Sequence, residues 1–153
     1  MSFTQSIKNS LTKNYASFSG RASRTEFWYF IIFIIVGYLI GFGLILLSYK
    51  LFWLLAIFMI AIIIPALAVT ARRLHDINKT GWLQLLPWPF GLLEGIFASS
   101  GQESLEILFL FIGLGIYIYL LVLYCTHGDK KDNKYGKNIY KKARKNLKRA
   151  FHN

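Results

Sequence analysis

Apolar residues in this chain form long unbroken runs separated by short polar stretches. A helix needs about 20 largely apolar residues to cross the hydrocarbon core of a bilayer. Phe27 to Leu47 is a charge-free run of that size. Leu51 to Ala71 is a second, with Pro65 inside it, and Ile107 to Cys125 is another. Each predicts a membrane-spanning helix. Trp82 to Ala98 is shorter, carries Pro87 and Pro89, and contains Glu94. Taken alone, it could equally be a re-entrant or interfacial segment.

Charge placement decides between three spans and four. Cytoplasmic flanks of spanning helices carry the excess of Lys and Arg. The segment before the first run holds Lys8, Lys13, Arg21 and Arg24, and the connection before Trp82 holds Arg72, Arg73 and Lys79. Ser48 to Lys50 holds one basic residue, and Ser99 to Glu106 holds none. Everything after Cys125 is rich in Lys and Arg. Four spans put every basic residue except Lys50 on one side, whereas three would export the most basic segment. The expectation is therefore an all-α integral membrane four-helix bundle with both termini cytoplasmic. Its spans lie at about 27–47, 51–71, 82–98 and 107–125. An amphipathic cytoplasmic segment, 1–23, precedes the membrane domain, 24–126, and a basic cytoplasmic tail, 127–153, follows it.

Local signals sharpen the outline. Ser23 and Glu26 form an S-x-x-E capping box, which starts the first helix near Arg24. Gly37 and Gly41, and again Gly91 and Gly95, sit at the G-x-x-x-G spacing that lets helix backbones approach closely. Phe3, Ile7, Leu11, Tyr15 and Phe18 recur at helical spacing, with Lys8 and Lys13 off that stripe, so a short helix lying on the membrane is expected. Ile139, Tyr140, Ala143, Leu147, Ala150 and Phe151 give the tail the same design: a basic helix with one apolar face.

Composition agrees with the run pattern. Hydrophobic residues make up 55% of the chain and charged residues 16%, below the roughly one quarter charged typical of soluble domains. The net charge of +11 is concentrated in the tail. Cys125 is the single cysteine, so an intrachain disulfide is excluded, and it reads as a packing residue at the inner interface. The first apolar run is too long for a signal-peptide core and has no small-residue cleavage site behind it, so it stays as a span.

Three polar motifs interrupt the apolar pattern. The first is Gly20-Arg21-Ala22-Ser23-Arg24-Thr25-Glu26-Phe27-Trp28. The second is Ala71-Arg72-Arg73-Leu74-His75-Asp76, followed by Gly81-Trp82. The third is Gly128 with Asn133-Lys134-Tyr135-Gly136. Together, from about Tyr15 to Gly136, they make the chain resemble a bacterial family of small inner-membrane proteins known as domain of unknown function 805. The third motif departs from the pattern at Lys131, where a glycine is expected, and the long basic tail looks like an addition. The resemblance implies a bacterial inner membrane and a helical bundle. It implies no activity and no catalytic residues.

The motifs also carry their own chemistry. On a helix, Arg72 and Arg73 lie four and three residues before Asp76, so either could pair with it. His75 lies close by. One reading is a cytoplasm-facing polar site, with arginines for a phosphate or carboxylate and His75 for proton transfer. The plainer one is an interfacial anchor with the arginines on lipid phosphates. Arg21 and Arg24 pose the same choice, and Glu26 either caps its helix or pairs across the bundle with Arg72 or Arg73. Glu94 is the one acidic residue well inside a predicted span, where a charge costs about 2.5–3.5 kcal/mol on insertion scales. It is either a proton or cation site or a group reaching water at the periplasmic end.

Nothing in the sequence points to catalysis, a cofactor or a metal: no paired carboxylates, no nucleophile with a base, and no cluster of three or four zinc ligands. The tail meets anionic lipid before nucleic acid, gaining about 1 kcal/mol per basic residue at the surface. The functional expectation is a non-enzymatic inner-membrane module presenting a charged cytoplasmic face to lipid or a protein partner. The alternative is a small transporter or channel built as a homo-oligomer, using Glu94 and the Arg72, Arg73, His75 and Asp76 cluster.

Overall fold

The computed structural model describes residues 2–141 of the chain. It contains five α-helices: α1 (Phe3–Leu11), α2 (Arg24–Leu47), α3 (Phe52–Asp76), α4 (Pro87–Ser99) and α5 (Glu103–Cys125). Short 3-10 turns, Tyr49–Leu51 and Gly81–Leu85, lead into α3 and α4. Among the described residues there is no β-strand, only an isolated bridge between Asn133 and Gly136. The remainder of the basic tail, 142–153, and with it most of the helical face expected there, lies outside the described residues.

Among the described residues, three helices are long and apolar enough to cross a membrane: α2, α3 with its leading turn, and α5. Their mean hydropathies are 2.9, 2.8 and 2.5, yet only 17%, 22% and 11% of their apolar stretches are buried inside the protein. The rest of that apolar surface faces outward, as a lipid-solvated helix requires. At 1.5 Å per residue the 24 residues of α2 reach about 36 Å, enough for a hydrocarbon core of about 30 Å.

The third expected span, 82–98, is different. It divides into the 3-10 turn and α4, whose 13 residues reach only about 20 Å. Pro87 explains the division. It has no N–H to continue an α-helical ladder from the turn, but its fixed φ suits the first position of a new helix, where it stands. A fourth full-length apolar helix is therefore not present among the described residues.

The helices pair as two antiparallel hairpins, α2 with α3 and α4 with α5. Gly37 and Gly41 lie in the first contact. A β-carbon at Gly37 would overlap the Phe58 ring, and one at Gly41 would stand 2.7 Å from Leu55 Cδ1. Gly91 and Gly95 meet nothing within 4 Å, so the second glycine pair brings no backbones together. The α4–α5 contact is aromatic instead, with Phe97 stacked on Phe109 at 5.3 Å between ring centroids. The small buried core holds Ala22, Phe27, Phe30, Ile62 and Val69.

The N-terminal stripe forms a helix only as far as Leu11; Tyr15 lies in the turn beyond it and Phe18 in the irregular stretch that follows. A capping box between Ser2 and Gln5 starts α1. Ser6 and Ser10 are fully buried, while Phe3 stays exposed. Tyr15 has a specific task. Pro65 cannot donate to the carbonyl of Ala61 one turn back, and the Tyr15 hydroxyl donates to that carbonyl at 2.8 Å.

Candidate functional site

α2 begins, and α3 and α5 end, at one level of the molecule, and all three polar motifs meet there. Ser23 caps α2 and accepts a hydrogen bond from the Glu26 amide. The Glu26 side chain does not complete the box; it crosses to α3, where Oε1 accepts from Arg72 Nη1 at 2.6 Å. Both side chains are buried. Arg72 Nε and Nη2 are also buried and have no hydrogen-bond partner among the described residues, so the pair is held by one of the three guanidinium nitrogens.

Asp76, at the last turn of α3, is fully buried. Its Oδ1 accepts from Arg21 Nε at 2.9 Å. Its Oδ2 accepts from Arg73 Nη1 at 2.6 Å and from the Tyr140 hydroxyl at 2.6 Å. The three donors come from the segment before α2, from α3 itself and from the chain after α5. Asn78, at φ 59°, turns the chain just past α3, and Lys79 N donates to Leu74 O at 2.9 Å to finish the helix.

The arginines also satisfy the end of α5. The last carbonyls of a helix lack intrahelical donors and carry a partial negative charge. Arg73 Nε donates to Tyr124 O at 3.1 Å and Arg73 Nη2 to Thr126 O. Arg24 Nη1 donates to Cys125 O at 3.3 Å. Arg21 continues along the following loop, donating to Asp129 O at 2.5 Å and Lys131 O at 2.8 Å. Three guanidinium groups and two carboxylates are buried here, and the carbonyls take up the excess positive charge. Burial of such groups is tolerable only with this degree of pairing.

The third motif folds over Asp76. Asp129 N donates to Asp76 O at 2.8 Å. Asn133 Nδ2 donates to His75 O at 2.9 Å, and Tyr135 stacks on the His75 imidazole with 3.8 Å between ring centroids. His75 itself stays off the ion pairs; its Nδ1 lies 3.2 Å from Gly20 O. Burial, then the hydrogen bond to Asp76, pushes the Tyr140 hydroxyl up to about 12.

The sequence residues thus divide. Arg21, Arg73 and Asp76 form one buried ion cluster and Glu26 and Arg72 a second buried pair beside it, and together they make up the charged node. Arg24 and His75 border it. Glu94 makes no ion pair or hydrogen bond among the described residues; it lies half-buried on α4, beside a cleft of about 390 Å³ against α5. Cys125, expected as packing, is exposed. Among the described residues no three metal-type ligands converge. Sequence reasoning did not find Tyr140 or the loop carbonyls. Gly128 was the available signal, since a glycine in a polar loop often marks a close approach.

Comparison with known proteins adds a family. The chain matches the family described as "Protein of unknown function (DUF805)" over residues 15–137. It is 36% identical to the inner membrane protein YhaI of Escherichia coli (strain K12) over 129 residues, covering 83% of this chain and 89% of that protein. It is 32% identical to the inner membrane protein YhaH of the same organism over 132 residues, covering 81% and 88%. A third relative there, the uncharacterized protein YiiR, is 31% identical over 124 residues, covering 80% and 85%. No solved structure matches.

Proposed function

The chain belongs to the DUF805 family of unknown function, and on that footing we propose that it is a non-enzymatic, multi-pass module of the bacterial inner membrane. In this reading both termini are cytoplasmic, and the turn with α4 serves as the third of four passes. The charged node closes the cytoplasmic ends of the helices, and the tail, 127–153, presents its basic residues to anionic lipid or a protein partner. One observation carries the reading: Asp76 is fully buried and takes donors from three separate chain segments. Such an arrangement holds helix ends in place and occupies both carboxylate oxygens of Asp76. Relatives bearing inner-membrane names support the location. The positive charge of both flanks supports the orientation.

Reporter fusions test it. A fusion after Asn153 and one within residues 99–104 should give opposite signals, cytoplasmic for the tail. A tail that reports from the periplasm overturns the four-pass arrangement.

A second reading rests on Glu94. Its cleft is otherwise lined by Gly91, Gly113 and mostly apolar side chains, with Trp88 and Tyr117 among them. A carboxyl in such surroundings suits proton or cation handling in an oligomeric transporter. Loss of a membrane-potential-driven flux in Glu94→Gln, with the fold intact, is its test.

A further inference from the structure

The second and third motifs hold residues that the charge node leaves unused: His75, Gly81, Trp82 and Tyr135. All four border one cavity of about 530 Å³, at the same end of the molecule as the node. That volume falls within the range of about 300–1,000 Å³ typical of small-molecule sites. α3 supplies the floor from successive turns, with Leu67, Ala71 and His75. The 3-10 turn supplies the facing wall. It can approach α3 because residue 81 is glycine. A β-carbon there would stand 2.8 Å from Ala71 Cβ and 3.3 Å from His75 Nε2.

The wall offers acceptors, His75 Nε2 and Gln84 Oε1, alongside donors in the Gln84 amide nitrogen, the Trp82 indole and the Thr80 and Tyr135 hydroxyls. A carbonyl can only accept, so His75 Nδ1 carries the hydrogen in its contact with Gly20 O. In the neutral ring that leaves Nε2 with its lone pair on the side of Gly81. Gln84 also lines the cavity, and its Oε1 is buried and takes no hydrogen bond from any described residue. Thr80 Oγ1 accepts from Trp82 N. Among the described residues, no Lys, Arg, Asp or Glu lines the space. The nearby Lys134 ammonium lies 5.0 Å over the Tyr135 ring. Trp82 and Phe18, both exposed, stand at the border and offer apolar surface to a chain arriving from the bilayer.

We propose that this cavity binds the head of an uncharged, hydroxyl-bearing membrane amphiphile. The hydroxyl donates to Gln84 Oε1 or His75 Nε2, and the apolar body lies along Leu67 and Ala71. A buried acceptor without a donor, and no cationic side chain among the described lining residues, disfavour a phosphate head group there. Two sources share this chemistry, a diacylglycerol and a polyprenol. The proposal is independent of whether the module has three or four passes.

The test uses the full chain in phosphatidylcholine nanodiscs. Chain-brominated diacylglycerol and phosphatidylglycerol with the same brominated chains are compared as quenchers of tryptophan fluorescence. The Trp82 share is taken by difference from Trp82→Phe. Diacylglycerol should quench Trp82 at several-fold lower mole fraction, and Gln84→Leu should raise the required amount about threefold to tenfold, the loss of one neutral hydrogen bond. Unbrominated diacylglycerol or undecaprenol should relieve the quenching, and the stronger competitor names the source. Native mass spectrometry of the unaltered protein with equimolar lipids gives a second readout that needs no variant. Equal quenching by the two probes overturns the proposal. So does retention of phosphatidylglycerol in preference to diacylglycerol.

Discussion

Gly128 lies against the carboxylate of Asp76, so close that a β-carbon at residue 128 would overlap Oδ2. The next residue, Asp129, donates its amide to the Asp76 carbonyl at 2.8 Å. The loop after α5 is thereby seated on the last turn of α3, and only glycine fits the seat. Gly128→Ala should therefore destabilise the protein by about 3 kcal/mol, at the upper end of overpacking costs. Gly115→Ala, on α5 where nothing lies within 4 Å, should cost nothing or gain up to about 1 kcal/mol. Detergent-driven unfolding in mixed micelles measures both. Equal effects would mean that the loop is not seated on Asp76.

Tyr15 and Pro65 form a second linked pair, through the Ala61 carbonyl. Tyr15→Phe should cost about 1 kcal/mol, an ordinary hydrogen bond. In a Pro65→Ala background the restored amide can bond Ala61 itself, so the same change should cost close to nothing. A Tyr15→Phe cost that is unchanged by Pro65→Ala would separate the two residues.

Tyr140 makes the node sensitive to high pH. Its hydroxyl is raised from 10.0 to about 12 by burial and by the bond to Asp76. A raised value means that the fold favours the protonated phenol. The stabilisation is complete below about pH 10 and is lost as pH rises through about 12. The stability difference between the protein and Tyr140→Phe should stay flat up to about pH 10 and shrink above it. A difference that already falls between about pH 7 and 9 would assign the sensitivity to another group.

A peptide of residues 137–153 should gain helicity with anionic vesicles, by virtue of its apolar stripe and basic flanks. Salt should release it, because exposed charges are screened over about 10 Å at 0.1 M. Equal affinity for neutral and anionic vesicles would remove charge from the account of the tail.

The run pattern made α2, α3 and α5 legible because a lipid-facing helix must be apolar all round. The start of α2 was legible from Ser23, a local cap. The fate of 82–98 was harder, because charge placement reports which side a flank occupies but not whether the helix between is continuous. Pro87 decided that locally. The site was legible in part. Opposite charges at one end of the helices pointed to Glu26 and to Arg72 or Arg73, and the Cα geometry of two packed helices was needed to choose Arg72. The Arg21–Asp76 pair joins residues 55 apart in sequence. No periodicity marks such a contact, and no spacing rule could have supplied it. The same holds for Tyr140, whose ring reaches Asp76 across 64 positions.

Buried ion pairs, and not separate lipid anchors, hold the start of α2 and the end of α3 together. A double-mutant cycle on Glu26 and Arg72 tests this most directly, with unfolding free energy in mixed micelles as the readout. Glu26→Gln and Arg72→Gln should each cost about 3 kcal/mol, since each leaves a buried charge without its partner. The double variant should cost well under the sum, by 1 kcal/mol or more. The matching cycle with Arg73→Gln, whose carboxylate partner is Asp76, should show a smaller coupling to Glu26. If Glu26 and Arg72 are instead simply additive, the two motifs act independently and the node does not clamp the helices.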